Sequence, residues 1–156
     1  MRKRFITSTP ETVGPPGEGW LDLECVAVVE VTSEEKDFPA ESALVLRETR
    51  GWRAANPGTQ TIRLVFDQPH KLRQISLVFE EEQALRTQEF VLRWSSGGRS
   101  LREIVRQQWN FSPPATTREI EEYKVELADV TVLELIIVPD ISGGMARASL
   151  KSLRLS

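Results

Sequence analysis

Residues Gly51–Phe79 read GWRAANPGTQTIRLVFDQPHKLRQISLVF, and the first apolar run within them has a period of two. Ile62, Leu64 and Phe66 alternate with Thr61, Arg63 and Val65, which puts one set on a buried sheet face and the other toward water. ANPG (Ala55–Gly58) precedes the run and DQPHK (Asp67–Lys71) follows it, supplying the Gly, Pro, Asn and Asp that turns require. The stretch therefore predicts a strand, a turn and a second strand.

The same period recurs along the chain. Phe90, Leu92 and Trp94 alternate with Glu89, Val91 and Arg93, and Tyr123, Val125 and Leu127 with Lys124 and Glu126. LELIIVP (Leu133–Pro139) is more continuously apolar and predicts a strand covered on both sides. SSGG (Ser95–Gly98), SPPATT (Ser112–Thr117) and PDISGG (Pro139–Gly144) fall between the runs as turns. Glu80–Gln88 fits either one helical turn or a strand-to-strand loop. Short strands at this spacing, without long helical patterns, predict an all-β antiparallel sandwich or barrel.

A chain of 156 residues and 17.7 kDa fits one domain over 1–156, with 1–19, including ETVGPPGEG, as an irregular entry to the first strand. A net charge of −3 gives no global pull toward nucleic acid or anionic membrane, and MRKR at the start reads as a solvated tail. Cys25 is the one cysteine, so an internal disulfide is excluded; its place in CVAVVEV predicts a buried thiol. No apolar signal region opens the chain and no run approaches the ~18 apolar residues of a membrane span. The expectation is a soluble cytoplasmic protein.

Catalysis is not expected. His70 is the sole histidine and lies in the DQPHK turn. Zinc spacing, a GxxxxGKS phosphate loop and a GxSxG elbow are all missing from the sequence. The acid-rich FEEEQ (Phe79–Gln83) and REIEEY (Arg118–Tyr123) read as solvated strand edges, which repel a further strand.

FPAESAL (Phe38–Leu44), the Gly51–Phe79 stretch, EFVLRWSSGGRSLREIV (Glu89–Val105) and the closing ARASLKSLRLS (Ala146–Ser156) together resemble the galactose-binding-like (discoidin, or F5/8 type C) jelly roll. The resemblance covers roughly Trp20 to Leu155. It implies a jelly-roll β-sandwich and a binding role. Many members hold a structural calcium through an acidic residue near the final strand's last apolar pair. Here Ser152 takes that position beside Lys151, which disfavours calcium even with Glu34, Glu35 and Asp37 in SEEKD, so no cofactor is expected. WRAANPGTQTI (Trp52–Ile62) also resembles a segment of the N-terminal domain of a single-strand-break repair scaffold protein, a protein- and DNA-interaction module of the same fold.

Sugar recognition needs a flat apolar ring and planar, directional polar groups. Trp20, Trp94 and Trp52 are expected to pack inside. Trp109, in RQQWNFSPP (Arg106–Pro114), has polar neighbours. On a strand, Val105, Gln107, Trp109 and Phe111 share one face, and Arg106, Gln108 and Asn110 the other. One reading has Trp109 and Phe111 finishing the core; another has the strand end presenting a ligand site. The candidate ligand set is Trp109 as stacking platform with Arg86, Gln88, Gln108 and Asn110 as hydrogen-bonding partners. One flat strand cannot aim both faces at one sugar, so the site requires a bulge or twist near Trp109. The leading function is a non-catalytic module for a carbohydrate or similar polyhydroxylated ligand, bound in loops at one end of the sandwich. The alternative is an intracellular protein-interaction module or subunit of a larger assembly; nucleic acid is disfavoured by the acidic net charge.

Overall fold

The computed structural model of the chain describes residues 19–156, so MRKR and most of the expected entry segment lie outside the described residues. Two four-residue helices, α1 (Leu23–Val26) and α2 (Glu41–Leu44), accompany eight strands. The strands are β1 (Ala27–Val31), β2 (Trp52–Pro57), β3 (Gln60–Glu80), β4 (Arg86–Ser95), β5 (Arg102–Phe111), β6 (Arg118–Val138), β7 (Arg147–Leu150) and β8 (Ser152–Leu155). The architecture is the antiparallel β-sandwich that the alternation predicts.

β3 and β6, each of 21 residues, form one long antiparallel ribbon that folds over on itself. The fold falls at DQPHK, where the register slips repeatedly between Val65 and Gln74. Pro69 lacks a backbone N–H, so the ladder cannot run unbroken there, and slips of this kind bend a strand. Opposite it, Asp129 takes a left-handed backbone with φ of 56°. The expected turn is thus a bend inside a continuous strand. One arm of the ribbon lies in a layer ordered β1-β3-β6-β4-β5; the other lies in a layer with β8. β2 and β7 pair as a separate ribbon.

Inward-facing residues from both layers fill the space between them. Ile62, Leu64 and Phe66 come from the first arm of β3, and Ile75, Leu77 and Phe79 from the second, all buried. Phe79 meets Phe90 of β4 across the layers, with ring centroids 5.2 Å apart. Fully burying such a side chain contributes roughly 1.5–3 kcal/mol. LELIIVP is covered on both sides by different chemistry: Leu133, Leu135 and Ile137 enter the core, while Glu134 on the other face is clamped by two arginines. Its Oε2 accepts from Arg63 Nη2 at 2.7 Å, and its Oε1 from Arg93 Nε at 2.8 Å.

Two expectations need correction. Cys25 is exposed, because it sits in the turn of α1 rather than on a strand, where its thiol donates to Asp22 Oδ2 at 3.3 Å. REIEEY is not simply a wet edge: Glu119 is 0% exposed. Period two carries Glu119, Glu121 and Tyr123 onto the inner face of β6, and the folded ribbon lays that face against β4.

Candidate functional site

Arg86, the first residue of β4, closes one end of the sandwich. Its Nε donates to Glu81 Oε1 at 2.7 Å, and its Nη1 donates to the Pro139 carbonyl oxygen at 2.7 Å. Glu81 follows β3 and Pro139 follows β6, so one guanidinium ties together the chain exits of both long strands. Its Cζ also lies over the Phe111 ring, 4.8 Å from the centroid. Beside it, Gln88 Nε2 donates to Glu119 Oε1 at 3.1 Å. Burial first, and then the neighbouring Glu121 carboxyl, push the Glu119 carboxyl up to about 9. Glu119 is therefore a neutral acid at pH 7. Burial likewise raises the Tyr123 hydroxyl, helped by Glu121 and Glu119. The Trp109 Nε1, Glu119 Oε2 and Tyr123 Oη atoms are buried without a hydrogen-bond partner among the described residues.

The five candidate ligand residues divide between two faces. Gln88 lies opposite Trp109 and Arg86 opposite Phe111 in the β4–β5 ladder, so Arg86, Gln88 and Trp109 come together on the inner face. Thr87 lies opposite Asn110 and Glu89 opposite Gln108, on the outer face. There the Thr87 hydroxyl donates to Asn110 Oδ1 at 2.6 Å, and Gln108 Nε2 donates to Glu89 Oε1 at 3.1 Å. The bulge that would unite them is displaced: the ladder slips between Leu92 and Arg93, not near Trp109. Arg86 and Gln88 are 4% and 0% exposed and already engaged, so they hold the sandwich end instead of reaching outward. The expected joint constellation is not assembled.

A different set of polar groups is open to solvent. A groove of about 250 Å³ lies between the β2–β7 ribbon and the end of β3, lined by Phe38, Arg50, Trp52, Arg53, Glu80 and Lys151 among others. Gly51 makes it possible. Its φ is 82°, and a Cβ there would stand 2.7 Å from the Leu150 carbonyl oxygen, so only glycine lets this segment lie against Leu150–Lys151. Trp52 then points inward, 1% exposed, with Nε1 donating to the Ser33 carbonyl at 3.0 Å. Period two sends Arg53 outward, where its guanidinium lies over the Phe38 ring at 4.3 Å. Lys151 is fixed by its backbone, whose N–H donates to the Val78 carbonyl at 2.8 Å.

The groove cations are loosely paired. Arg53 is 3.7 Å from Glu35 and Lys151 is 3.9 Å from Glu80, while among the described residues Arg50 donates only to the Asp37 carbonyl, at 3.4 Å. Of the SEEKD carboxylates, Glu34 accepts the Ala40 backbone N–H at 2.9 Å and Glu35 also meets Arg147 at 3.1 Å. Among the described residues no group of three or more His, Cys, Asp or Glu side chains is placed to hold a metal ion.

No family model matches the chain, and no curated protein matches it in sequence. Solved structures do. The family 32 carbohydrate-binding module of C. perfringens NanJ, in complex with galactose, aligns at a TM-score of 0.62 and 14% identity, covering 87% of this chain and 96% of that one. The fold is the galactose-binding-like jelly roll. The CBM32 of AlyQ, in complex with 4,5-unsaturated mannuronic acid, aligns at 0.60 and 14% identity, over 84% of this chain and 95% of that one. XRCC1, bound to the DNA pol beta catalytic domain, aligns at 0.59 and 13% identity, again over 84% and 95%. At these identities the likeness concerns the galactose-binding-like fold alone.

Sequence reading passed over the groove because its side chains come from four separated segments. One local signal was available: in TRGWR, an inward Trp52 fixes an outward Arg53, and Gly51 marks a close backbone approach.

Proposed function

We propose that the chain is a non-catalytic carbohydrate-binding module that takes its ligand at the loop-bearing end of the sandwich, in the groove of Phe38, Arg50, Arg53, Glu80 and Lys151. The observation that carries this reading is the open groove itself, in which guanidinium, ammonium and carboxylate groups converge on a solved-fold framework shared with carbohydrate-binding modules. Sugar hydroxyls both donate and accept. Glu80 serves as acceptor, and Arg50, Arg53 and Lys151 as donors. The Arg53 guanidinium lies over the Phe38 ring, a contact that narrows its range of orientations and so lowers the entropy lost on binding. A glycan array followed by calorimetry tests the proposal. Binding that falls at least tenfold in Arg53→Ala supports it, and no binding to any glycan at millimolar concentration defeats it.

A second reading, a protein-interaction module, is favoured by a separate feature. Leu85, Ile141 and Met145 are 78%, 50% and 79% exposed on neighbouring loops, where the Ile141 N–H donates to the Thr87 carbonyl at 2.8 Å. Solvent-exposed apolar side chains grouped on adjoining loops fit a partner surface. XRCC1, a neighbour in fold, is seen bound to another protein. Pull-down with the wild-type chain against a Leu85→Ser/Met145→Ser variant tests this reading; a partner retained equally by both counts against these loops.

A further inference from the structure

We infer that the groove selects an acidic saccharide, with the carboxylate of a uronate taken by Arg50 and Arg53. The inference rests on the carbohydrate-binding reading and goes beyond it in fixing the charge of the ligand. The chain as a whole is acidic, at −3, yet three cations and one carboxylate line this groove. Several arginines outside the groove meet carboxylates closely, although Arg118 reaches Glu80 only at 3.5 Å and Arg73, Arg99, Arg102 and Arg154 make no ion pair among the described residues. Arg63 meets Glu134 at 2.7 Å, Arg86 meets Glu81 at 2.7 Å and Arg106 meets Glu103 at 3.0 Å. In the groove the corresponding ion pairs stretch to 3.7 and 3.9 Å, and Arg50 makes none among the described residues.

That arrangement leaves spare donor capacity on the cations that line the groove. A guanidinium presents a planar fork that matches a carboxylate with two parallel hydrogen bonds. Arg53 lies over Phe38 with Glu35 3.7 Å away, and Arg50 reaches the Asp37 carbonyl at 3.4 Å, so neither fork is filled by a close carboxylate pair. Lys151 adds a point charge near Glu80, and Glu80 accepts from a ring hydroxyl, which separates a sugar acid from a bare anion.

Calorimetry on the full chain tests the inference with oligogalacturonate, oligomannuronate, the carboxyl-reduced neutral form of each, and a sulfated galactan. At least one uronate is expected to bind tenfold or more tightly than its carboxyl-reduced form, with the preference weakening as salt is raised. Arg50→Gln/Arg53→Gln is expected to abolish that preference while its thermal melt stays within a few degrees of wild type. Equal binding of acidic and reduced forms overturns the inference and leaves the carbohydrate-binding reading standing. Binding of none of the five overturns the inference, while the carbohydrate-binding reading is decided separately by the glycan array. Tighter binding of the sulfated galactan overturns the choice of carboxylate.

Discussion

The α-carbon of Gly51 sits so close to the Leu150 carbonyl oxygen that an added Cβ would lie 2.7 Å from it. Gly51→Ala therefore meets a backbone atom that cannot rotate away, in a backbone conformation that L-residues resist. Together these should cost about 2–3 kcal/mol, seen as a lowered urea midpoint with unchanged slope. Gly58, at φ 89° with nothing within 4 Å, is the control. Gly58→Ala should cost about 1 kcal/mol. Equal losses at the two positions would mean that the Gly51–Leu150 approach contributes nothing.

Arg86 predicts a larger loss. Removing one partner of a buried, hydrogen-bonded charge pair typically costs about 3–5 kcal/mol. Arg86→Ala takes the guanidinium from Glu81 Oε1 and from the Pro139 carbonyl, while Glu81 Oε2 keeps the Gln83 and Ala84 N–H groups, so the loss should fall toward the lower end of that range. Arg86→Lys should recover only part, because an ammonium lacks the fork that reaches Glu81 and Pro139 together while lying over Phe111. Denaturant unfolding of the two variants checks the order.

Glu119 and Glu134 predict opposite pH responses. The folded value of Glu119 is raised from 4.5 to about 9, so the native state holds a proton that the unfolded chain releases across that window. Its contribution is fully present below about 4.5 and is lost as pH rises through about 9, by up to ~1.4 kcal/mol per pH unit. Glu119→Gln should flatten this decline between about pH 4.5 and 9. For Glu134, burial alone would raise the carboxyl, but Arg63 and Arg93 overcome it and lower the value. Its contribution is present above the ordinary carboxylate range and is lost as pH falls below it. Stability measured from pH 3 to 10 on wild type and the two glutamine variants separates the slopes.

The outer face of β5 gives a negative prediction. Gln108 and Asn110 bond to Glu89 and Thr87 and do not line the groove. Gln108→Ala and Asn110→Ala should leave saccharide affinity within twofold of wild type, read by the same calorimetry. A tenfold loss in either would move the site to the β4–β5 face.

What the sequence made legible was periodicity. Ile62, Leu64 and Phe66 turn inward as alternation demands, and Trp109 parts from Gln108 and Asn110 as alternation also demands. The closeness of Arg86 and Gln88 to Trp109 follows from neighbouring strands. Glu119 was illegible because a carboxylate in an acid-rich run reads as solvated; only the folding of the β3–β6 ribbon puts it beside Gln88. The groove was illegible for a related reason. Phe38, Arg53, Glu80 and Lys151 are brought together by pairings far apart in the chain, Arg53 with Ser149 and Lys151 with Val78. No local pattern contains those pairings.

The most direct measurement is amide-resolved NMR of the chain titrated with oligogalacturonate and oligomannuronate. Shift changes that saturate and cluster on Phe38, Arg50, Gly51, Arg53 and Lys151, for at least one of the two, are the result the account predicts. Saturable changes centred on Trp109, Gln108 and Asn110, or no saturable change with either ligand, would contradict it.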